Sequence, residues 1–249
     1  LLHPGLADAG IGPRLAGEQQ LLARMSHPAI ATVLDAGTTP DGRPFIAMEH
    51  VPGVPITRFA ADESLDLAGR VELLADACDA VQHAHGKGLV HRDLKPANVL
   101  AFRDDAGRPR VKVIDFGIAR VVEGDRPGPA GGPGPAPGTH PDPAALRTLA
   151  GTPSSMAPEQ AGAIDADVDA RADVFALGVV LHELLTGAPP FEHRSFEAGE
   201  VEALQAWVRD RTAIRPSEAP ADAGWTRELR TDLDWIVARC LATQPADRY

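Results

Sequence analysis

Apolar residues between Asp66 and Gly86 return every three or four positions, which is the spacing of one face of an α-helix. The apolar face of this predicted helix consists of Val71, Leu74, Cys78 and Val81. A side-chain oxygen of Asp66 or Ser64 can cap its first turn. Gly86 and Gly88 follow the last apolar positions and can end it. The pattern therefore predicts a long amphipathic helix.

A second predicted helix is apolar on nearly all sides. It covers 174–185, follows Asp173, and ends before the Gly-Ala-Pro-Pro run at 187–190. Because little polar face remains for solvent, we expect this helix in the middle of a helical lobe. It contains His182 and Glu183 and is too short to cross a bilayer, so the chain shows no predicted membrane span.

Shorter apolar runs bounded by turn residues predict β-strands. Residues 31–36 and 43–48 are joined by a turn at 39–42, which predicts a hairpin. Residues 99–102 and 111–114 predict a second hairpin. The remaining predicted helices cover 13–26, 197–210 and 229–241.

The composition is that of a globular protein. Hydrophobic residues make up 44% and charged residues 24% of the 249 positions, which is enough for a substantial core. The net charge of −11 argues against a general nucleic-acid or anionic-membrane surface. Cys78 and Cys240 are far apart in the sequence and are interpreted as reduced core residues, which favours a cytoplasmic location.

One tract breaks the succession of helices and strands. Residues 121–147 are rich in proline and glycine and show no apolar periodicity. Such a tract cannot bury enough apolar surface to offset the entropy lost on ordering. We therefore expect it to be disordered or mobile.

Candidate catalytic residues are concentrated at 91–98, which reads His-Arg-Asp-Leu-Lys-Pro-Ala-Asn. This stretch supplies a carboxylate at Asp93, an ammonium at Lys95 and a carboxamide at Asn98. A second carboxylate, Asp115, follows the second predicted hairpin. A base near a hydroxyl, a cation near phosphate oxygens and oxygen ligands for Mg²⁺ are the groups that phosphoryl transfer requires.

Three motifs together resemble the catalytic core of eukaryotic-type (Hanks-type) serine/threonine protein kinases, most closely those of bacteria. They are the 91–98 motif, Asp115-Phe116-Gly117 and the Ala-Pro-Glu of 157–159. The resemblance extends over essentially the whole chain apart from the proline- and glycine-rich tract.

The resemblance implies an α+β, two-lobed protein-kinase-like fold. Residues 1–51 would form a partial N-lobe of few antiparallel strands plus helix C, and 52–249 a mainly helical C-lobe. The 121–147 tract would be an insertion in the activation segment, which runs from the Asp-Phe-Gly motif to the Ala-Pro-Glu motif.

The resemblance further implies transfer of the γ-phosphate of ATP, with Mg²⁺, to Ser or Thr hydroxyls of protein substrates. Asp93 would orient the attacking hydroxyl and accept its proton, while Lys95 would neutralise charge on the γ-phosphate. Asn98 and Asp115 would hold Mg²⁺. Lys95 together with Thr152 is similar to the Ser/Thr branch of the family rather than the Tyr branch.

Nucleotide-binding roles also follow from the resemblance. Met48 would be the gatekeeper, and the backbone of Glu49 and Val51 in the hinge would hydrogen-bond adenine. Leu100 would lie under the adenine ring. Glu18, within the apolar stripe of the 13–26 helix, would pair with a strand lysine that holds the nucleotide phosphates.

Regulation is implied by Arg92, which lies beside Asp93 and could clamp a phosphate of the activation segment. Thr148 is the first candidate for that phosphorylation and Thr139 the second; two plain loop threonines are the alternative. Self-association for autophosphorylation would follow from the same model.

Three residues would have structural roles in a kinase. Asp173 would brace the backbone of the catalytic loop. Arg248 would pair with Glu159 of the Ala-Pro-Glu motif, the alternative being a free terminal arginine.

Two parts of the kinase pattern are absent from the chain. No Gly-x-Gly-x-x-Gly loop and no strand lysine precede Glu18. In the family, a run like that of 1–6 follows the lysine, so we expect the sequence to be an incomplete catalytic domain. It could be the cytosolic domain of a membrane-anchored receptor kinase whose anchor lies outside the sequence.

Two other functions remain open at this point. One is a pseudokinase that binds protein partners as a scaffold without catalysis, although the intact Asp93, Lys95, Asn98 and Asp115 argue against it. The other is a small-molecule kinase, which the peptide-platform motif at 151–159 disfavours.

Overall fold

The described part of the chain forms two small antiparallel sheets and a mainly helical remainder. The computed structural model describes residues 26–39, 44–116, 153–197, 200–219, 229–230 and 232–249. Residues 13–25 of the predicted N-terminal helix and the 121–147 tract lie outside these ranges. No helix of the described ranges is long and apolar enough to cross a membrane.

The first sheet is the hairpin predicted near the N-terminus. Strand β1 (Val33–Thr38) pairs antiparallel with β2 (Pro44–Met48). Beyond the strand end, the Glu49 N–H donates to the Thr32 carbonyl at 2.9 Å and extends the pairing. The sheet therefore fixes the direction in which the chain leaves β2.

The second sheet has three antiparallel strands in the order β3-β4-β5. They are β3 (Val54–Pro55), β4 (Val99–Arg103) and β5 (Pro109–Val113). Strands β4 and β5 confirm the second predicted hairpin, and Asp104 Oδ1 closes its turn by accepting the N–H groups of Ala106 at 3.0 Å and Arg108 at 2.9 Å. A parallel bridge from Ile30 to β5 fixes the segment before β1 beside the strand that leads to Asp115.

Helix α1 (Ile56–Asp62) is absent from the sequence prediction. Its seven residues are too few for a helical period to stand out from the neighbouring strand pattern. It buries Ile56, Phe59 and Ala60 in the core that it shares with the long helices.

Helix α2 (Leu67–His85) is the long amphipathic helix predicted from the apolar spacing. Asp66, not Ser64, caps it, because Asp66 Oδ1 accepts the Gly69 N–H at 2.8 Å. The predicted apolar face is partly wrong, since Val71 is 36% exposed. The buried face lies away from Val71 and includes several alanines. Alanine side chains pack well in a core, but they are small and contribute little to the hydrophobic pattern of the sequence. That face contains Leu73, Leu74, Ala77, Ala80, Val81 and Ala84.

Helix α3 (Ala170–Thr186) begins four residues before the predicted start at 174. The reason is Asp169, whose carboxylate caps the helix by accepting the Arg171 N–H at 2.8 Å. Asp173 consequently lies inside the first turn rather than ahead of it. Twelve of the 17 residues are buried, which confirms a central position, and Gly187 ends the helix with φ 76°.

Two shorter helices complete the described fold. Helix α4 (Val201–Asp210) begins later than predicted, and helix α5 (Asp232–Cys240) falls within the predicted 229–241 segment. Helix α5 packs closely on α3, because a Cβ placed on Gly178 would lie 2.5 Å from the Cβ of Cys240. Glycine is therefore required at this crossing.

The two cysteines lie in apolar surroundings, Cys240 buried and Cys78 half-buried. Both thiols are free, and burial raises the pKa of each to about 11. At neutral pH both Cys78 and Cys240 are therefore uncharged, in line with the predicted reduced state.

Replacing Gly178 by Ala is expected to lower the free energy of unfolding by about 1–3 kcal/mol, because the new methyl overlaps Cys240 and forces α3 and α5 apart. Denaturant unfolding measures the change. Gly86→Ala is the control, since a Cβ there meets no atom closer than 3.5 Å. Equal stability of the two variants would contradict the proposed close crossing.

Candidate active site

The 91–98 loop brings a carboxylate, an ammonium and a carboxamide together. Lys95 Nζ donates to Asp93 Oδ2 at 2.7 Å. Asn98 Nδ2 donates to the Asp93 carbonyl at 2.8 Å and to Oδ2 at 3.1 Å. A 3-10 turn at Pro96–Asn98 orients the buried Asn98 side chain toward Asp93. These three side chains, predicted from the motif, are therefore assembled in one place.

The Asp93 carboxylate is held by one oxygen only. Both side-chain hydrogen bonds end on Oδ2, and within the described ranges no residue donates to Oδ1. The side chain is 51% exposed. Oδ1 is thus open to a hydroxyl group that approaches from solvent.

Asp115 lies next to the same loop. The Ile114 N–H donates to the Asn98 carbonyl at 2.9 Å and joins the end of β5 to the loop. Asp115 (φ 63°) and Arg92 (φ 67°) both adopt the left-handed conformation that strains residues other than glycine. No described residue donates to the Asp115 carboxylate, so its oxygens remain available to a cation.

His91 connects the loop to the strand that carries Asp115. The ring is buried, Nδ1 accepts the Asp93 N–H at 3.3 Å, and Nε2 donates to the Ile114 carbonyl at 2.9 Å. Burial lowers the pKa of His91 below its usual value, although Asp173 and the Ile114 carbonyl act in the opposite direction. The imidazole is therefore neutral and carries its proton on Nε2. Its ring packs against Phe116 with centroids 4.6 Å apart.

Asp173 fixes the loop backbone to helix α3. Its carboxylate, which is fully buried, accepts the His91 N–H at 2.7 Å and the Arg92 N–H at 2.8 Å. These contacts are the brace predicted for Asp173. His85 Nε2, at the end of α2, lies 2.7 Å from the same carboxylate. The sequence prediction gave His85 no such role, because nothing in a helix-end histidine indicates a partner 88 positions away.

The predicted pair between Glu159 and Arg248 is present. Arg248 Nη1 donates to Glu159 Oε1 at 2.6 Å and Nη2 donates to Oε2 at 2.9 Å, with both side chains buried. Other guanidinium hydrogens reach carbonyls, among them Ala242 at 2.8 Å from Nε. The bidentate geometry ties the Ala-Pro-Glu motif to the end of the described chain.

Gln160 joins the Ala-Pro-Glu motif to the 91–98 loop. Its Nε2 donates to the Arg92 carbonyl at 2.7 Å, and its Oε1 accepts the Ala157 N–H at 3.1 Å. Sequence reasoning does not identify Gln160, since a single amide after a motif carries no spacing signal. The loop is therefore held from two sides, by Asp173 and by Gln160.

Glu49 occupies the exit from strand β2. Its carboxylate accepts the Thr32 N–H at 2.7 Å and a hydrogen bond from Lys112 Nζ. Burial raises the pKa of Glu49, but the bonds from Lys112 and Thr32 outweigh it and hold the pKa below its usual value. The carboxylate is therefore engaged with the protein, and Lys112 is a partner that the sequence does not predict.

Three other predicted nucleotide-binding residues lie within the described ranges. Met48 ends β2 and is half-buried, and Val51 is buried. Leu100 lies in β4, where a Cβ on Gly53 would come within 3.2 Å of it. The remaining predicted site residues, Glu18, Gly117, Thr139, Thr148 and Thr152, lie outside the described ranges.

The chain belongs to the protein kinase family. Residues 8–249 match the family model described as the protein kinase domain. The α+β kinase fold and the bacterial type of kinase predicted from the motifs are confirmed by the relatives described next.

The similar proteins are bacterial serine/threonine-protein kinases. Pkn1 of Myxococcus xanthus is 34% identical over 236 residues, covering 95% of this chain and 30% of the relative. PknB of Mycobacterium tuberculosis strain H37Rv is 37% identical over 240 residues, covering 95% of this chain and 33% of the relative. The chain thus spans about a third of the length of these curated relatives.

Solved structures give the same fold. The crystal structure of a point mutant of the Mycobacterium tuberculosis PknI kinase domain matches with a TM-score of 0.61 at 29% identity. The match covers 100% of this chain and 77% of that one. The crystal structure of the same domain without that mutation matches with a TM-score of 0.59.

Replacing Arg248 by Met is expected to lower the free energy of unfolding by about 3–5 kcal/mol, because the Glu159 carboxylate would stay buried without its partner. Denaturant unfolding measures this change. The double variant Glu159→Gln with Arg248→Met should recover part of the loss, since no unpaired charge remains.

Arg239→Met is the matched control for this experiment. Arg239 stacks over the rings of Trp235 and Tyr249, which are half exposed, so its loss should cost no more than about 1 kcal/mol. If Arg248→Met costs no more than Arg239→Met, the buried pair does not stabilise the fold.

Proposed function

We propose that the chain is the catalytic region of a serine/threonine protein kinase, which transfers the γ-phosphate of ATP to Ser or Thr hydroxyls of protein substrates. The observation that carries the proposal is the Asp93 carboxylate, held on Oδ2 by Lys95 and Asn98 while Oδ1 stays open. A base fixed in orientation and open on one side suits a hydroxyl acceptor. Family membership and the names of the relatives support the same function.

In the proposed step, Asp93 Oδ1 accepts the hydrogen of the substrate hydroxyl. The hydroxyl oxygen forms a bond to the γ-phosphorus as the bond from that phosphorus to the bridging oxygen of ADP breaks. The proton is taken up by the Asp93 carboxylate, and the electron pair of the broken bond leaves with ADP. Lys95 donates to a γ-phosphate oxygen, which offsets the charge that is transferred.

Asn98 and Asp115 are the proposed ligands of Mg²⁺. Because the Asn98 Nδ2 group is used by Asp93, its amide oxygen is the end left for a cation. The Asp115 carboxylate accepts no hydrogen bond from the described residues. A carboxylate and an amide oxygen fit the preference of Mg²⁺ for a few protein oxygens, with phosphate and water completing the shell. When bound, Mg²⁺ supplies positive charge against the phosphate oxygens.

The proposed adenine site is the segment after β2, with Met48 as gatekeeper and Leu100 below the ring. Among the described residues, none donates to the Glu49 carbonyl and none accepts the Val51 N–H. These two groups match the donor and acceptor edge of adenine. Glu18 is the proposed partner of a lysine that holds the phosphates.

Regulation by phosphorylation is part of the proposal. Arg92 would clamp a phosphate on Thr148, or on Thr139 as the second choice, and Thr152 would belong to the substrate-facing part of the activation segment. Phosphorylation of one copy by another makes a second copy of the chain a proposed partner.

The proposed division puts the N-lobe at 1–51 and the C-lobe at 52–249, with Phe116 and Gly117 opening the activation segment that contains the 121–147 insertion. Two free cysteines support action in a reducing compartment, either the cytoplasm or the cytosolic side of a membrane.

Phosphate transfer from ATP to dephosphorylated casein tests the function in the full-length gene product with Mg²⁺. Asp93→Asn is expected to lower kcat by about 10²–10⁴-fold, because the amide cannot accept the proton. Asp115→Asn should abolish the Mg²⁺-dependent activity. Asp105→Asn, in the exposed turn between β4 and β5, is the control and should retain activity.

Full activity of Asp93→Asn would contradict the assigned role. A wild-type protein that binds ATP or protein partners but transfers no phosphate would favour a pseudokinase instead.

A further inference from the structure

Arg211 follows the last turn of α4 and reaches the segment that precedes the Ala-Pro-Glu motif. Its Nη1 donates to the carbonyls of Pro153 at 3.0 Å and Ser154 at 3.3 Å, and its Nη2 donates to the carbonyl of Met156. One guanidinium thus binds three backbone carbonyls within a stretch of four residues. Ser154, one of the three, is 57 positions from Arg211 in the sequence. A planar fork of donors is the side chain that can do this.

Aromatic rings surround the Arg211 cation. Its guanidinium carbon lies 4.0 Å from the ring centroid of Phe191, 4.9 Å from Trp207 and 5.2 Å from Phe175. Within the described ranges, no carboxylate forms an ion pair with it. Burial lowers the pKa of Arg211 to about 9, and the positive Arg248 acts in the same direction. The charge is therefore stabilised by carbonyl dipoles and ring faces rather than by a counter-ion.

The 153–156 segment lies between two fixed points. Arg211 holds its carbonyls to the end of α4, and Gln160 ties the motif that follows it to the Arg92 carbonyl in the 91–98 loop. Arg92 is adjacent to Asp93, the proposed base. The position of the segment relative to Asp93 consequently depends on Arg211 at one end and on Gln160 at the other.

From this geometry we infer that Arg211 is a positioning residue for the protein substrate: it holds residues 153–156 as the surface that presents the acceptor hydroxyl to Asp93. The inference rests on the proposed kinase function. The inference assigns to Arg211 an effect on binding of the protein substrate and none on binding of ATP. The reason is that the described contacts of Arg211 are all with residues that follow the 91–98 loop in the sequence, and none involves Met48, Glu49 or Val51 of the proposed adenine site.

Arg211→Met tests the inference in the full-length protein. Methionine keeps an apolar stem among the rings but leaves the three carbonyls without a donor. We expect KM for dephosphorylated casein to rise by about tenfold or more, the equivalent of losing one charge-assisted hydrogen bond, while KM for ATP stays within about twofold. Arg211→Lys retains the charge without the fork and should raise KM for casein by a smaller factor.

Arg209→Met is the matched control, since Arg209 lies in the last turn of α4, two positions before Arg211, and pairs only with the exposed Asp210 among the described residues. Thermal melts accompany each variant. If Arg211→Met does not fold cooperatively, Arg211→Lys is used for the test instead. The expected result is again a raised KM for casein with KM for ATP within about twofold of the wild type.

Unchanged KM for casein in a folded Arg211 variant would overturn the inference, as would equal increases in KM for casein and for ATP. Either outcome, with an active wild type, leaves the kinase function standing. A wild type without phosphate transfer overturns the proposed function itself, and this inference with it.

Discussion

The buried carboxylate of Asp173 is the constraint on which the rest of the site depends. It comes from the central helix and accepts backbone hydrogens from both His91 and Arg92, and His85 of α2 contacts the same oxygen, Oδ2, that accepts the His91 N–H. A buried carboxylate is stable only when hydrogen bonds replace its lost hydration. The loop backbone is therefore locked to α3, and Arg92 is kept in its left-handed conformation although the conformation is strained.

The polar side chains described around the site fall into two classes with different consequences. Those that hold the structure, such as Asp173 and the Glu159–Arg248 pair, are buried and have their bonds made within the protein. Those assigned to chemistry keep an unused group: Asp93 keeps Oδ1 and Asp115 keeps its carboxylate oxygens. The residues whose hydrogen bonds are all made within the protein hold in place the residues that keep a group free for the reaction. Rigidity and reactivity are therefore supplied by different residues.

Motif spacing predicted the parts of the site that lie close together along the chain, whereas the long-range contacts of Asp173 and of Glu159 with Arg248 were implied only by the resemblance to kinases. Lys95 is two positions from Asp93, so a motif was enough to bring them together. Arg211 and Gln160 escaped prediction because their partners are backbone carbonyls of distant segments, which leave no trace in side-chain periodicity. The error at Val71 has a different cause: alanines carry the real packing face of α2, and a small side chain gives a weak hydrophobic signal.

The most direct test of the account measures hydrogen exchange at the His91 and Arg92 amides in Asp173→Asn, together with kcat for casein. The side-chain carboxamide introduced by this substitution has one oxygen that can accept one of these backbone hydrogens, but its NH₂ group faces the other backbone N–H and cannot accept it. We expect protection of at least one amide to fall by about tenfold or more, for the loss of a hydrogen bond to a charged group, with a parallel fall in kcat. Unchanged protection and unchanged kcat would contradict the claim that Asp173 holds the loop in its active arrangement.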